Sequence, residues 1–153
     1  KRQKIACTQA SVLISGVILL LGYATVLEIV VAQGSFPNEL EIAELLKLNS
    51  GLFCLLLFIA GICFLASCLF SDTRYSIGLG AGIPALMYVL QMLANAGEDA
   101  EKAKYFTFFT LFQPENLVAG KSSALMGVTI LLIGGIALFA AGIFLFCKKD
   151  LYI

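Results

Sequence analysis

Polar residues in this chain gather into short clusters, and four long uncharged runs lie between them. The runs cover residues 5–27 (continuing past Glu28 to 32), 48–71, 75–97 and 122–147. A helix needs roughly 20 apolar residues, at about 1.5 Å each, to cross the hydrocarbon of a bilayer. Each run meets that length. Their apolar character goes all round the helix, as in a lipid-immersed span and unlike a surface helix with one apolar stripe. The short alternating segments of a membrane β-barrel are missing. The pattern predicts an all-α, polytopic membrane helix bundle with four transmembrane helices. Residues 1–153 form one transmembrane domain, with spans at 5–32, 48–71, 75–97 and 122–147 and outer loops at 33–47 and 98–121.

Composition supports the pattern. Hydrophobic residues make up 60% and charged residues 13%, against about 45–50% and about 25% in soluble domains. Mean hydropathy is +0.97. Ten basic and ten acidic residues cancel, which leaves no basic surplus for nucleic acid. Histidine is absent, so no Ser-His-Asp triad and no His-ligated zinc site can form. The cysteines Cys7, Cys54, Cys63, Cys68 and Cys147 make no C-x-x-C pair. By the span map none falls in an outer loop, so they read as small packing residues and not as a disulfide or metal framework. No cofactor and no metal are expected. The basic start Lys1-Arg2-Gln3-Lys4 before an apolar run has the outline of a signal peptide. The run is too long for one and no A-x-A site closes it, so a piece of a longer protein is expected.

Charge bias sets the expected direction. With both termini cytoplasmic, the inner segments hold Lys1, Arg2, Lys4, Arg74, Lys148 and Lys149. The outer segments hold Lys47, Lys102, Lys104 and Lys121, balanced by Glu39, Glu41, Glu44, Glu98, Asp99, Glu101 and Glu115. In the first outer loop, Leu40, Ala43 and Leu46 or Leu45 share a face. A short in-plane amphipathic helix is expected there, with Asn38 as its N-cap. In the second, the aromatic run from Tyr105 to Phe112 is too short to cross and suits a re-entrant or interfacial piece. An aromatic belt and a substrate-binding strip both account for it.

Glu28 is the acid that interrupts an apolar run. It stands about 35 Å along a helix from Ile5, beyond a hydrocarbon depth of about 30 Å. It reads as a solvated carboxylate at the outer interface, with a proton or cation site as the alternative. Residues 115–122, E-N-L-V-A-G-K-S, nearly match a phosphate loop. Glu115 replaces the first glycine and no strand precedes it, so the segment is not expected to hold nucleotide. The third span is the most informative. Gly78 and Gly82 have G-x-x-x-G spacing. Pro84 removes the helical bond to the Gly80 carbonyl and predicts a kink. Pro84, Tyr88, Gln91 and Asn95 then fall on one face. Polar groups avoid lipid, so this face either packs on protein or lines a transport path. The fourth span is rich in Gly and Ala, which permit close helix approach.

Several motifs in order resemble the C-terminal part of an ABC-2 type permease, the membrane subunit of bacterial ABC exporters. Arg2-Gln3-Lys4-Ile5-Ala6 resembles the family's "S-R-x-K-I" stretch at its third span. Ser67, Leu69, Phe70 and Arg74 resemble its "S-x-L-F-x-x-x-R" inner turn. Tyr105-Phe106-Thr107-Phe108-Phe109 with Phe112-Gln113-Pro114 resembles its outer "Y-L-T-P-F-x-x-F-x-P". Phe146-Cys147-Lys148-Lys149-Asp150-Leu151 resembles its terminal "F-x-x-R-D-L". The resemblance implies spans three to six of a six-span permease in the bacterial cytoplasmic membrane. It also implies a separate ABC ATPase subunit that hydrolyses ATP, a second permease subunit, and no catalytic residue in this chain. The rival expectations are a non-transport four-span scaffold or assembly protein and, further off, an enzyme acting on lipids or quinones.

Overall fold

The computed structural model describes residues 2–35, 41–96 and 107–148. Among these the chain forms α1 (Arg2–Ser35), α2 (Ile42–Leu69) and α3 (Thr73–Ala96). A 3-10 turn (Phe108–Leu111), a short α4 (Pro114–Val118) and α5 (Ser122–Lys148) follow. No strand occurs among the described residues. Four helices are long and apolar enough to cross a membrane: α1, α2, α3 and α5. The protein is a membrane-type helix bundle.

α1 and the start of α2 outrun the apolar stretches that define them. α1 spans 34 residues, about 50 Å at 1.5 Å per residue. α2 begins at Ile42, so Glu44 and Lys47 lie in its first turns. The separate in-plane helix expected in the first outer loop is therefore continuous with α2 over the described residues. The physical reason is that charged residues end burial in hydrocarbon but do not end a helix. Asn38, its expected cap, lies outside the described residues. Glu41 takes the N-cap position and makes no side-chain capping bond.

α2 is the central helix. Of its most apolar stretch 44% is buried, against 22% for α5, 11% for α3 and none for α1. Its main neighbour is α5. Glycines bring the two backbones together: a Cβ at Gly61 would stand 2.9 Å from Leu138 Cβ and 3.2 Å from the Gly135 carbonyl oxygen. Gly135 and Gly142 of α5 face Leu57 and Phe64 of α2 in the same way. In lipid no hydrophobic force drives helices together, so this close van der Waals fit carries much of the association. Phe64 and Phe139 meet at 5.2 Å between ring centroids, in one cluster with Ala10, Leu57, Ala60 and Cys68. A second cluster holds Cys54, Leu55 and the fully buried Leu131. α1 packs on α2 and α5, and α3 packs on α2.

The α2–α3 turn at one end of the bundle is tight, running through Phe70, Ser71 and Asp72. The opposite end carries the 3-10 turn and α4, and is called here the cap end. Hydroxyls on the spans turn back to their own helices. Thr8 Oγ1 donates to the Lys4 carbonyl, Ser11 Oγ to Cys7 and Thr25 Oγ1 to Leu21, each at 2.8 Å. Such bonds let small polar residues sit in an apolar setting.

Candidate functional site

The cap segment, residues 107–118, is built into the bundle. Its side chains and backbone meet three different helices. Phe108 lies 5.1 Å from Phe58 of α2. Phe109 meets Tyr88 of α3 edge-on at 5.9 Å and stacks on Phe108 at 4.5 Å. The Leu111 carbonyl presses on Gly127 of α5, where a Cβ would collide with it. Phe112 and Leu117 fill the space over Gly51 of α2. Tyr105 and Phe106, the start of the aromatic run, lie outside the described residues.

A polar tie fixes the same segment to α3. Gln91 Oε1 accepts from Thr107 Oγ1, and from Thr110 Oγ1 at 3.1 Å. The two threonine hydroxyls stand 2.9 Å apart. Thr107 is one of the few buried polar residues, 5% exposed. An amide oxygen with two lone pairs suits two hydroxyl donors at a site with little water. The four residues that share the polar face of α3 thus part company. Tyr88 and Gln91 meet the cap segment. Pro84 is buried, and the side chain of Asn95 lies outside the described residues. Gly78 and Gly82 have nothing within 4 Å of where a Cβ would be, so their G-x-x-x-G face is unengaged among the described residues.

α3 continues through Pro84. Proline removes the N–H that would bond the Gly80 carbonyl. Cys63 of α2 replaces it, its Sγ donating to that carbonyl at 3.2 Å. Gly80 permits the approach: a Cβ there would stand 3.4 Å from Cys63 Cα. Reading the cysteines as packing residues missed this bond. The signal was present in the proline, which leaves one identifiable acceptor, but the donor depends on the register between two helices.

Glu28 is half-buried on α1. Its Oε2 accepts from Asn49 Nδ2 of α2 at 2.9 Å. Asn49 is 4% exposed, and its Oδ1 is buried without a hydrogen-bond partner. Sequence reading singled out Glu28 and missed Asn49. The cue was a lone amide at the polar start of the second span, level with Glu28. A groove of about 490 Å³ opens beside the pair, lined by Leu27, Glu28, Val31, Ala32, Ser35 and Leu45.

The phosphate-loop lookalike has no cradle to offer. Residues 114–118 are helical, and the turn after them uses its own amides. Gly120 N–H donates to the Leu117 carbonyl at 3.1 Å and Lys121 N–H to Asn116 at 3.0 Å, with Gly120 at φ 69°. This is a Schellman closure, in which glycine takes the left-handed conformation that ends the helix. Those N–H groups are spent on α4 and cannot ring a phosphate. Among the described residues no three Cys, Asp or Glu side chains gather as metal ligands would. Comparison with protein-family profiles, with curated proteins and with solved structures finds no match to this chain.

Proposed function

We propose that the chain is the membrane permease part of an ATP-driven ABC exporter, corresponding to spans three to six of an ABC-2 type unit. The observation that carries this reading is the cap segment. The residues that resemble the family's outer motif, Thr107, Phe108, Phe109, Phe112, Gln113 and Pro114, are those that fold back between three membrane helices. The order of the other motifs around four apolar helices adds to it.

In this reading the cap end faces outward and both chain ends lie on the cytoplasmic side of a bacterial plasma membrane. A separate ATPase subunit supplies the energy from that side, and a second permease unit completes the transporter. Among the described residues the buried polar side chains are Asn49 and Thr107, both near the cap end. Two side chains at one end make no polar route through a single unit. The transport path accordingly lies between units, and the peripheral α1 and α3 are the helices free to border it. The unengaged Gly78 and Gly82 give α3 a close-approach face for that purpose.

The same dry interior also favours a second reading, a four-span scaffold or assembly protein with no path at all. Purification of the full-length protein in mild detergent separates the two. A copurifying ATPase whose turnover depends on this chain supports the permease. A stable protein with no nucleotide-hydrolysing partner discards it in favour of the scaffold.

A further inference from the structure

Glu28 is a carboxylate with one oxygen in use. Oε2 takes the Asn49 amide, and Oε1 has no partner among the described residues. No described Lys or Arg pairs with it; Lys47, the nearest basic residue in sequence to Asn49, is exposed. Behind Oε2, one amide group away, the buried Asn49 Oδ1 lacks a donor. The groove therefore presents a carboxylate oxygen that calls for a cationic N–H donor, while the buried Asn49 behind it holds the other oxygen.

The groove beside the carboxylate is apolar apart from Glu28 and Ser35. An inorganic cation wants about six oxygen ligands, and the described side chains supply too few. An ammonium group needs fewer acceptors, and its carbon body would cover Leu27, Val31, Ala32 and Leu45. Depth agrees from two helices. Asn49 lies about 30 Å from Leu69 and Glu28 about 35 Å from Ile5, at about 1.5 Å per residue. A hydrocarbon layer is about 30 Å thick. The pair thus stands at its cap-end edge, where an amphiphile places its charged group.

We infer that the groove between α1 and α2 binds an amphiphilic ammonium compound, with Glu28 pairing the N–H-bearing cation and Asn49 positioning the carboxylate. The shared chemistry is a protonated primary amine on an apolar body, either a soluble amphiphile or the headgroup of an ethanolamine lipid. The site stands independently of the permease reading.

The test uses dansylcadaverine, a fluorescent primary amine, and its N-acetylated form, which keeps the body and loses the charge. Binding to the full-length protein in phosphatidylcholine nanodiscs is followed by fluorescence anisotropy. Saturable binding of the amine, at least tenfold tighter than its acetylated form, is expected. Glu28→Gln, which keeps an acceptor for Asn49, should weaken amine binding at least tenfold and leave the acetylated form unchanged. Asn49→Ala should weaken it severalfold. Equal binding of the two probes to the unmodified protein overturns the proposal, and needs no variant to fold. Amine binding unchanged in a folded Glu28→Gln protein overturns it as well. Replacing part of the phosphatidylcholine by phosphatidylethanolamine then distinguishes the source. Competition assigns the site to the lipid headgroup, and its absence assigns it to a soluble amine.

Discussion

Cys63 donates its thiol proton to the carbonyl of Gly80, the backbone group that Pro84 leaves without a helical partner. The proline on α3 and the cysteine on α2 are thus two halves of one arrangement. In lipid an unsatisfied carbonyl is costly, and a neighbouring helix commonly supplies the missing donor. The first prediction uses the pair as a cycle. Cys63→Ala should cost about 0.5–1.5 kcal/mol of stability, the range for hydrogen bonds between membrane helices. Cys63→Ser should retain most of it. Pro84→Ala restores the N–H, so adding Cys63→Ala to it should cost much less than alone. Unfolding in mixed micelles measures the unmodified protein and the four variants. An equal cost of Cys63→Ala in both backgrounds would show that the thiol acts by packing.

The α2–α5 seam sets a second expectation. Gly61→Val places methyl groups against Leu138 and the Gly135 carbonyl, backbone that cannot give way easily. Overpacking of this kind costs about 1–3 kcal/mol. Gly82→Ala is the control, with open space around it. It should leave the stability of the single unit within about 0.5 kcal/mol, as for other surface changes. If the two variants unfold alike, the glycine seam is not what joins these helices.

Gln91 gives a third. Gln91→Leu removes the acceptor of Thr107 and Thr110 while keeping an apolar side chain of similar length. Loss of a buried acceptor leaves two hydroxyls to find new partners, at about 1–3 kcal/mol. The loss should be local. Hydrogen exchange at residues 107–118 should speed up well before that of α2 or α5 does. Unchanged exchange there would mean that the aromatic contacts alone hold the segment.

A fourth concerns the unengaged face of α3. Gly78→Leu with Gly82→Leu should leave the monomer folded, because none of the described residues occupies that space. In the permease reading the same change should reduce pairing between units severalfold, read by crosslinking in membranes. Retained pairing would move the contact to α1.

How much of this was legible beforehand follows from the range over which each feature is encoded. The four spans show in sequence because a lipid-immersed helix needs local apolarity and length, nothing else. Their ends do not, because Glu44 and Lys47 interrupt the apolar run while backbone hydrogen bonding carries α2 back to Ile42. The aromatic run announced a segment too short to cross, and residues 107–118 do fold back. Which helix each ring meets depends on tertiary register. The same holds for Asn49 with Glu28 and for Cys63 with Gly80: each pair lies on separate helices, 17 or more positions apart. The G-x-x-x-G motif of α3 is instructive in the other direction. Its spacing suggested a packing face, yet within the chain it is Gly80, between the two motif glycines, that meets α2.

The cap segment touches α2 through Phe108, α3 through Phe109 and α5 through Leu111. Three helices that share one splice cannot separate pairwise at that end. Any motion that parts α3 from α2 must either lift the splice out or carry α5 along with it. Movement of α3 at that end is consequently coupled to the segment that also holds α2 and α5, and a reporter on Phe109 would read the displacement of that segment.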